Sequence, residues 1–224
     1  MLILDLIIKD ILIQKKTIIY AFLCSILLSI SFSSLRIIGL GLYVLCPMMT
    51  AYFFISYAVT YDDKNKSEVL LNSLPIKRAD IVISKYISLF VFAVIGVIFS
   101  IIIGFIWKIT WIPIDVVSIS LVNIVLVFMS VCIMGAIFFP PYFKFGFLKT
   151  RIFNMLIFMA LFFLPLNAVP FAIENPNNPF VQKISYFINN TSSFTQNSLA
   201  LATGVIFFVI SLMISICIYN NKEF

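Results

Sequence analysis

Six apolar runs, each close to the length that crosses a bilayer, leave this 224-residue chain few folds to choose from. A spanning helix needs roughly 20 mostly apolar residues to cross about 30 Å of hydrocarbon. The runs occupy residues 17–35, 37–60, 86–107, 116–139, 152–172 and 199–219. Their apolarity is continuous, with no alternation of period two, so they are expected to be helices and not barrel strands. Composition agrees: 62% of residues are hydrophobic, 11% are charged and the mean hydropathy is +1.15. Soluble domains do not reach such values, and the expectation is an all-α integral membrane protein forming a single domain over residues 1–224.

Charge placement predicts which way the chain faces, because cytoplasmic loops retain Lys and Arg. Twelve of the 15 basic residues fall on one side of the predicted spans. They are Lys9, Lys15 and Lys16 before the first span; Lys64, Lys66, Lys77, Arg78 and Lys85 between the second and third; Lys144, Lys149 and Arg151 between the fourth and fifth; and Lys222 in the tail. Arg36, Lys108 and Lys183 fall on the other side, so both termini are expected in the cytoplasm. The net charge of +6 is thus a topology signal, and no basic run with interleaved aromatics points to nucleic acid. The amino-terminal stretch carries Asp5 and Asp10, lacks a basic start and has no small-residue cleavage pattern, so insertion without cleavage is expected.

Three segments outside the spans have character of their own. In residues 1–16, Asp5, Lys9 and Gln14 mark one polar edge while Leu2, Leu6 and Ile13 belong to a broad apolar face. Such a helix lies in the interface plane or extends the first span inward; Lys15 and Lys16 mark a bend at the headgroups. On the opposite side, "NPNNPFVQKISYFINNTSS" opens on a turn and then sets Phe180, Val181, Ile184, Phe187 and Ile188 at helical spacing. This short amphipathic helix sits on the outer leaflet, dips back between helices, or is an ordinary surface helix. The third segment, residues 61–85, is the most polar. Asn65 and Glu68 resemble a capping box, Pro75 stops a short helix, and Asp80 begins another that leads into the membrane. Val69, Leu70, Leu71 and Leu74 crowd a water-facing segment rimmed by charge, the pattern of a docking surface.

The chemistry that is missing narrows the function. No ionisable residue lies inside the six runs, which argues against a proton- or sodium-coupled carrier, although backbone carbonyls alone can bind sodium. The chain has no His and no carboxylate pair at membrane depth, which argues against an intramembrane enzyme. Cys24, Cys46, Cys132 and Cys217 lie in predicted spans without metal-ligand spacing and are expected to be packing residues. "GFLKT", ending at Thr150, lacks the Gly-Lys-Ser/Thr turn of a nucleotide loop, and "GLGL" at residues 39–42 reads as close helix packing.

The residues "LLNSLPIKRADIVISKY" (70–86) and "IKDILIQKK" (8–16) resemble the bacterial ABC type-2 permease family, in particular its compact six-span Firmicute members. There a Leu-Pro, a basic residue and an Ile-Val-x-x-Lys-Tyr run link the second and third spans. The resemblance implies an ABC type-2 exporter permease fold with an in-plane amino-terminal helix and a coupling helix that meets a cytoplasmic ABC ATPase. Carried onto this chain, Asn65, Glu68, Val69, Leu70, Leu71, Leu74 and Pro75 form that interface, with Arg78 and Asp80 anchoring the corner. It also implies a second permease chain, identical or a sibling, in the bacterial cytoplasmic membrane. No cofactor is implied in this chain; ATP and Mg belong to the partner. Compact members are associated with export of amphipathic peptides, including phenol-soluble modulins and lantibiotics. The rival readings are a carrier that works alone without ions, a membrane enzyme, and an immunity or assembly protein that transports nothing.

Overall fold

A computed structural model describes residues 2–15, 17–34, 41–73, 75–109 and 121–222. Arg36, Asp115 and the start of the expected fourth span lie outside the described residues. The described residues form helices and no strands. Helix α1 spans Leu2–Ile13 and α2 spans Thr17–Ser34, and a π turn at Gly41–Leu45 runs into α3, Cys46–Lys64. The short α4 is Ser67–Ser73, and the long α5 is Arg78–Ile109. Then come α6 (Leu121–Phe145), α7 (Phe147–Glu174), α8 (Pro179–Asn190) and α9 (Ser193–Asn220). Five helices are long and apolar enough to cross a membrane: α3 with its π turn, α5, α6, α7 and α9. The pair α1–α2 is long and apolar enough only when its two helices are taken together, and it is bent by 66° at its break.

The bend gives α1 a direction of its own, 66° away from that of α2. Gln14 holds the corner: its backbone N–H donates to Ile11, its carbonyl accepts from Ile18, and its side-chain amide donates to the Phe54 carbonyl at 2.8 Å. The expected polar edge of α1 therefore needs correcting. Leu6, Asp10 and Gln14, spaced four apart, are buried against the bundle, while Leu4, Ile8 and Leu12 are exposed. Leu6 and Ile11 pack on the core beside these polar groups.

Helix α3 is the most enclosed of the spanning helices, and α7 lies almost entirely on the outside. The core is aromatic, built around Phe54, Phe92, Phe139, Tyr142 and Tyr86. Edge-to-face contacts such as Phe54–Phe92, 5.4 Å between centroids at 79°, give these rings fixed partners. Gly96 lets α3 and α5 touch closely, since a Cβ there would meet the Pro47 backbone at 2.7 Å. Hydroxyls tie the remaining helices: Tyr86 of α5 bonds Ser211 and Ser215 of α9, both at 2.8 Å, and Ser211 donates to Ala136 of α6. At the opposite end of α5, the Trp107 indole donates to Ser29 of α2 at 2.9 Å.

On α8, Asn178 caps the first turn by accepting from the Phe180 N–H at 2.9 Å, and Pro179 occupies the first turn, where its missing N–H costs nothing. Phe180 and Tyr186 are exposed; the side chains of Ile184, Phe187 and Ile188 lie outside the described residues.

Candidate functional site

One end of the bundle gathers nearly all the described ion pairs. Asp10 of α1, Asp62 of α3 and Lys85 of α5 meet there, each side chain no more than 4% exposed. The Lys85 ammonium contacts both Asp10 oxygens, at 2.8 and 2.9 Å, and also donates to Asp62. Lys9 completes the group, donating to the other Asp62 oxygen at 2.9 Å. Two ammonium groups face two carboxylates, so the cluster is formally neutral. An isolated charge at this depth would be far too costly; the closed set of pairs offsets the desolvation.

This cluster is what reading by apolarity overlooked. The third span, expected from residue 86, begins as a helix at Arg78, so Lys85 lies two turns inside α5. The second, expected to stop at residue 60, continues as α3 to Lys64 and carries Asp62 inward. Both charges counted as loop charges in the sequence, yet both are buried within helices. Asp10 and Gln14, four apart along a mostly apolar amino-terminal stretch, were the available signal.

The neighbouring Asp63 makes a second connection. Its Oδ2 accepts from the backbone N–H groups of Phe147 at 2.6 Å and Leu148 at 3.1 Å, the open amino end of α7. A carboxylate is favourable there because it meets unsatisfied donors and the positive end of the helix dipole. Gly146 makes the one-residue elbow between α6 and α7 with φ +80°, a conformation open to glycine. The cap lets α7 start five residues before the expected fifth span, so Lys149 and Arg151 are helical.

Between these contacts lies α4, which contains most of the expected interface. Asn65 does not open it, contrary to the capping-box expectation. It closes α3 instead, donating its side-chain amide to the Tyr61 carbonyl at 3.0 Å. Lys66 then turns the chain with φ +50°, and α4 starts at Ser67. Glu68 pairs with Lys222 beyond α9 at 2.8 Å. Arg78 donates to the carbonyls of Asn220 and Lys222 at 2.7 and 3.1 Å, so Glu68 and Arg78 converge on one chain end. Leu71 is half-buried and packs on the core, whereas Leu70 is 65% exposed. Pro75 is exposed at the corner, and Asp80 sits in the first turn of α5, its N–H donating to Lys77. The Val69 side chain and Leu74 lie outside the described residues.

Among the described residues no group of His, Cys, Asp or Glu is arranged to hold a metal. Around the short α4, Asp63 joins the end of α3 to the start of α7, and Glu68 and Arg78 reach the end of α9. A family model described as "ABC-2 family transporter protein" matches residues 5–220. The chain belongs to the ABC-2 transporter family. No curated protein and no solved structure matches it. As an ABC-2 family protein it is the membrane permease subunit of an ABC transporter and works with an ABC ATPase. The ABC-2 match runs from the first turn of α1 to the end of α9.

Proposed function

We propose that this permease is the membrane half of an exporter of amphipathic peptides, driven by a cytoplasmic ATPase that docks on α4. The observation that carries this reading is the setting of Leu70. It is an exposed apolar side chain on a short helix, with the polar Lys66 and Ser73 exposed on either side of it. ATP, bound with Mg²⁺ in the partner, supplies the energy. The residues of this chain carry the displacement: Asp62 and Asp63 lead from the start of α4 to α1, α5 and α7, and Glu68 and Arg78 lead to the end of α9. Such ties move several helices together when α4 moves, which is how a partner that favours one conformation shifts the whole permease.

The uneven distribution of basic residues supports an orientation with α4 and both termini in the cytoplasm of a bacterial cell. A second permease chain, identical or a sibling, completes the pathway, as the resemblance to permeases built as paired halves implies. The resemblance of residues 70–86 to compact peptide-exporter permeases supports the cargo class.

The decisive experiment is co-purification in mild detergent with the partner ATPase, followed by assay of peptide-stimulated ATP hydrolysis. Leu70→Asp is expected to reduce recovery of the ATPase while membrane insertion stays intact, and Glu68→Arg to do so more weakly. Undiminished recovery with both substitutions would place the docking surface elsewhere; a permease that moves peptide with no ATPase present would end the proposal. Amphipathic peptides that leave hydrolysis unchanged would remove the cargo assignment alone.

A further inference from the structure

Between α2, α3 and α7 runs a groove of about 750 Å³ that neither α4 nor the buried charge cluster uses. Met49 and Phe53 of α3 and Met155, Phe158 and Met159 of α7 form its apolar walls. Tyr20, Met155 and Met159 are exposed, so the groove opens sideways, where hydrocarbon surrounds a spanning chain. At the charged end the lining changes. Lys64, the last residue of α3, and Arg151, just past the first turn of α7, line the groove there, and both are exposed. Among the described residues neither has an ion-pair partner, and no acidic residue lines the groove. Thr60 and Ser56 stand one and two turns along α3 from Lys64 and add hydroxyls between the cations and the apolar wall.

We propose that this groove binds a membrane glycerophospholipid with an anionic headgroup, its phosphate against Lys64 and Arg151 and an acyl chain along the methionine-lined wall. Two uncompensated cations at headgroup level select a net negative lipid over a zwitterionic one. Flexible thioether side chains suit a disordered chain better than a fixed partner surface. A symmetric second copy is a poor occupant, because the same patch on both copies brings like charges together. The proposal requires only a spanning chain and does not rest on the ATPase or peptide reading.

The full chain, reconstituted in nanodiscs with equal amounts of phosphatidylglycerol and phosphatidylcholine and then released into mild detergent, is examined for retained lipid by native mass spectrometry. Wild type is expected to retain phosphatidylglycerol preferentially. Lys64→Gln with Arg151→Gln should lower that preference about thirty-fold. Lys66→Gln with Lys77→Gln, an equal loss of exposed charge near α4, should leave it unchanged, and Met155→Trp should reduce retention of both lipids by filling the groove. Equal retention by wild type and the Lys64/Arg151 variant overturns the proposal, as does an equal loss in the Lys66/Lys77 variant. An acidic amphipathic peptide that loses affinity with the Lys64/Arg151 pair while lipid retention does not assigns the groove to peptide. Disulfide-linked dimers of Met155→Cys in a Cys24→Ser/Cys217→Ser background assign it to a second copy.

Discussion

Lys85 carries one positive charge that two carboxylates share, and Asp62 is itself shared between Lys85 and Lys9. Removing one member therefore does more than remove one contact. Lys85→Met leaves Asp10 and Asp62 buried with Lys9 as their only cation in the cluster, and it is expected to cost about 3–5 kcal/mol. Thermal denaturation followed by size-exclusion chromatography in detergent measures it. Adding Asp10→Leu to Lys85→Met restores neutrality, with Lys9 facing Asp62, and should recover much of the loss; a double variant as unstable as the single one would contradict the shared-charge account. Asp63 acts differently, because its carboxylate satisfies backbone donors that have no other intrahelical partner. Asp63→Ala is expected to cost about 1–2 kcal/mol, and hydrogen exchange should show faster loss of the Phe147 and Leu148 amides with other helices unaffected.

Helices in lipid gain little from hydrophobic burial against one another, so close packing and hydrogen bonds must hold them. The α3–α5 contact shows this most plainly, with Gly96 lying against the Pro47 backbone and Thr50. Backbone cannot step aside as the end of a side chain can, and Gly96→Val should therefore destabilise the protein by about 1–3 kcal/mol in the same melting assay. The equivalent change at Gly204, where the nearest atom is Met129 Cγ at 3.5 Å, should cost less. Helix α1 follows another logic. Its inward stripe contains Asp10 and Gln14 and its outward stripe is Leu4, Ile8 and Leu12, so it is anchored to the bundle by polar contacts and exposes apolar side chains. Lipid suits that outer stripe, as for an interfacial helix.

Across the whole molecule, the proposed docking on α4 and the proposed transmission from it fall on different residues. Leu70 is exposed, whereas Arg78 is bonded to the carbonyls at the end of α9. Arg78→Ala is accordingly expected to keep the ATPase bound while peptide-stimulated hydrolysis falls toward its basal rate; loss of binding and stimulation in parallel would show that Arg78 belongs to the docking surface instead. Orientation has its own test. Lys183→Cys on α8 should react with an impermeant maleimide in intact cells, and Lys66→Cys beside α4 only after permeabilisation, with Cys217→Ser as background for both.

Continuous apolarity without period-two alternation was enough to establish an all-α spanning protein and to single out residues 61–85, because crossing hydrocarbon leaves a chain only helices or a closed barrel to satisfy its backbone. Pairing was not legible there. A charge at the edge of an apolar run looks the same whether it faces water or a partner; Lys85 and Asp62 became interior residues only when α1, α3 and α5 brought four side chains of opposite sign together. The same holds for Asp63, whose role depends on a helix start more than 80 residues away. Local composition sets which segments enter the membrane, and long-range contact alone sets which of their polar ends are joined.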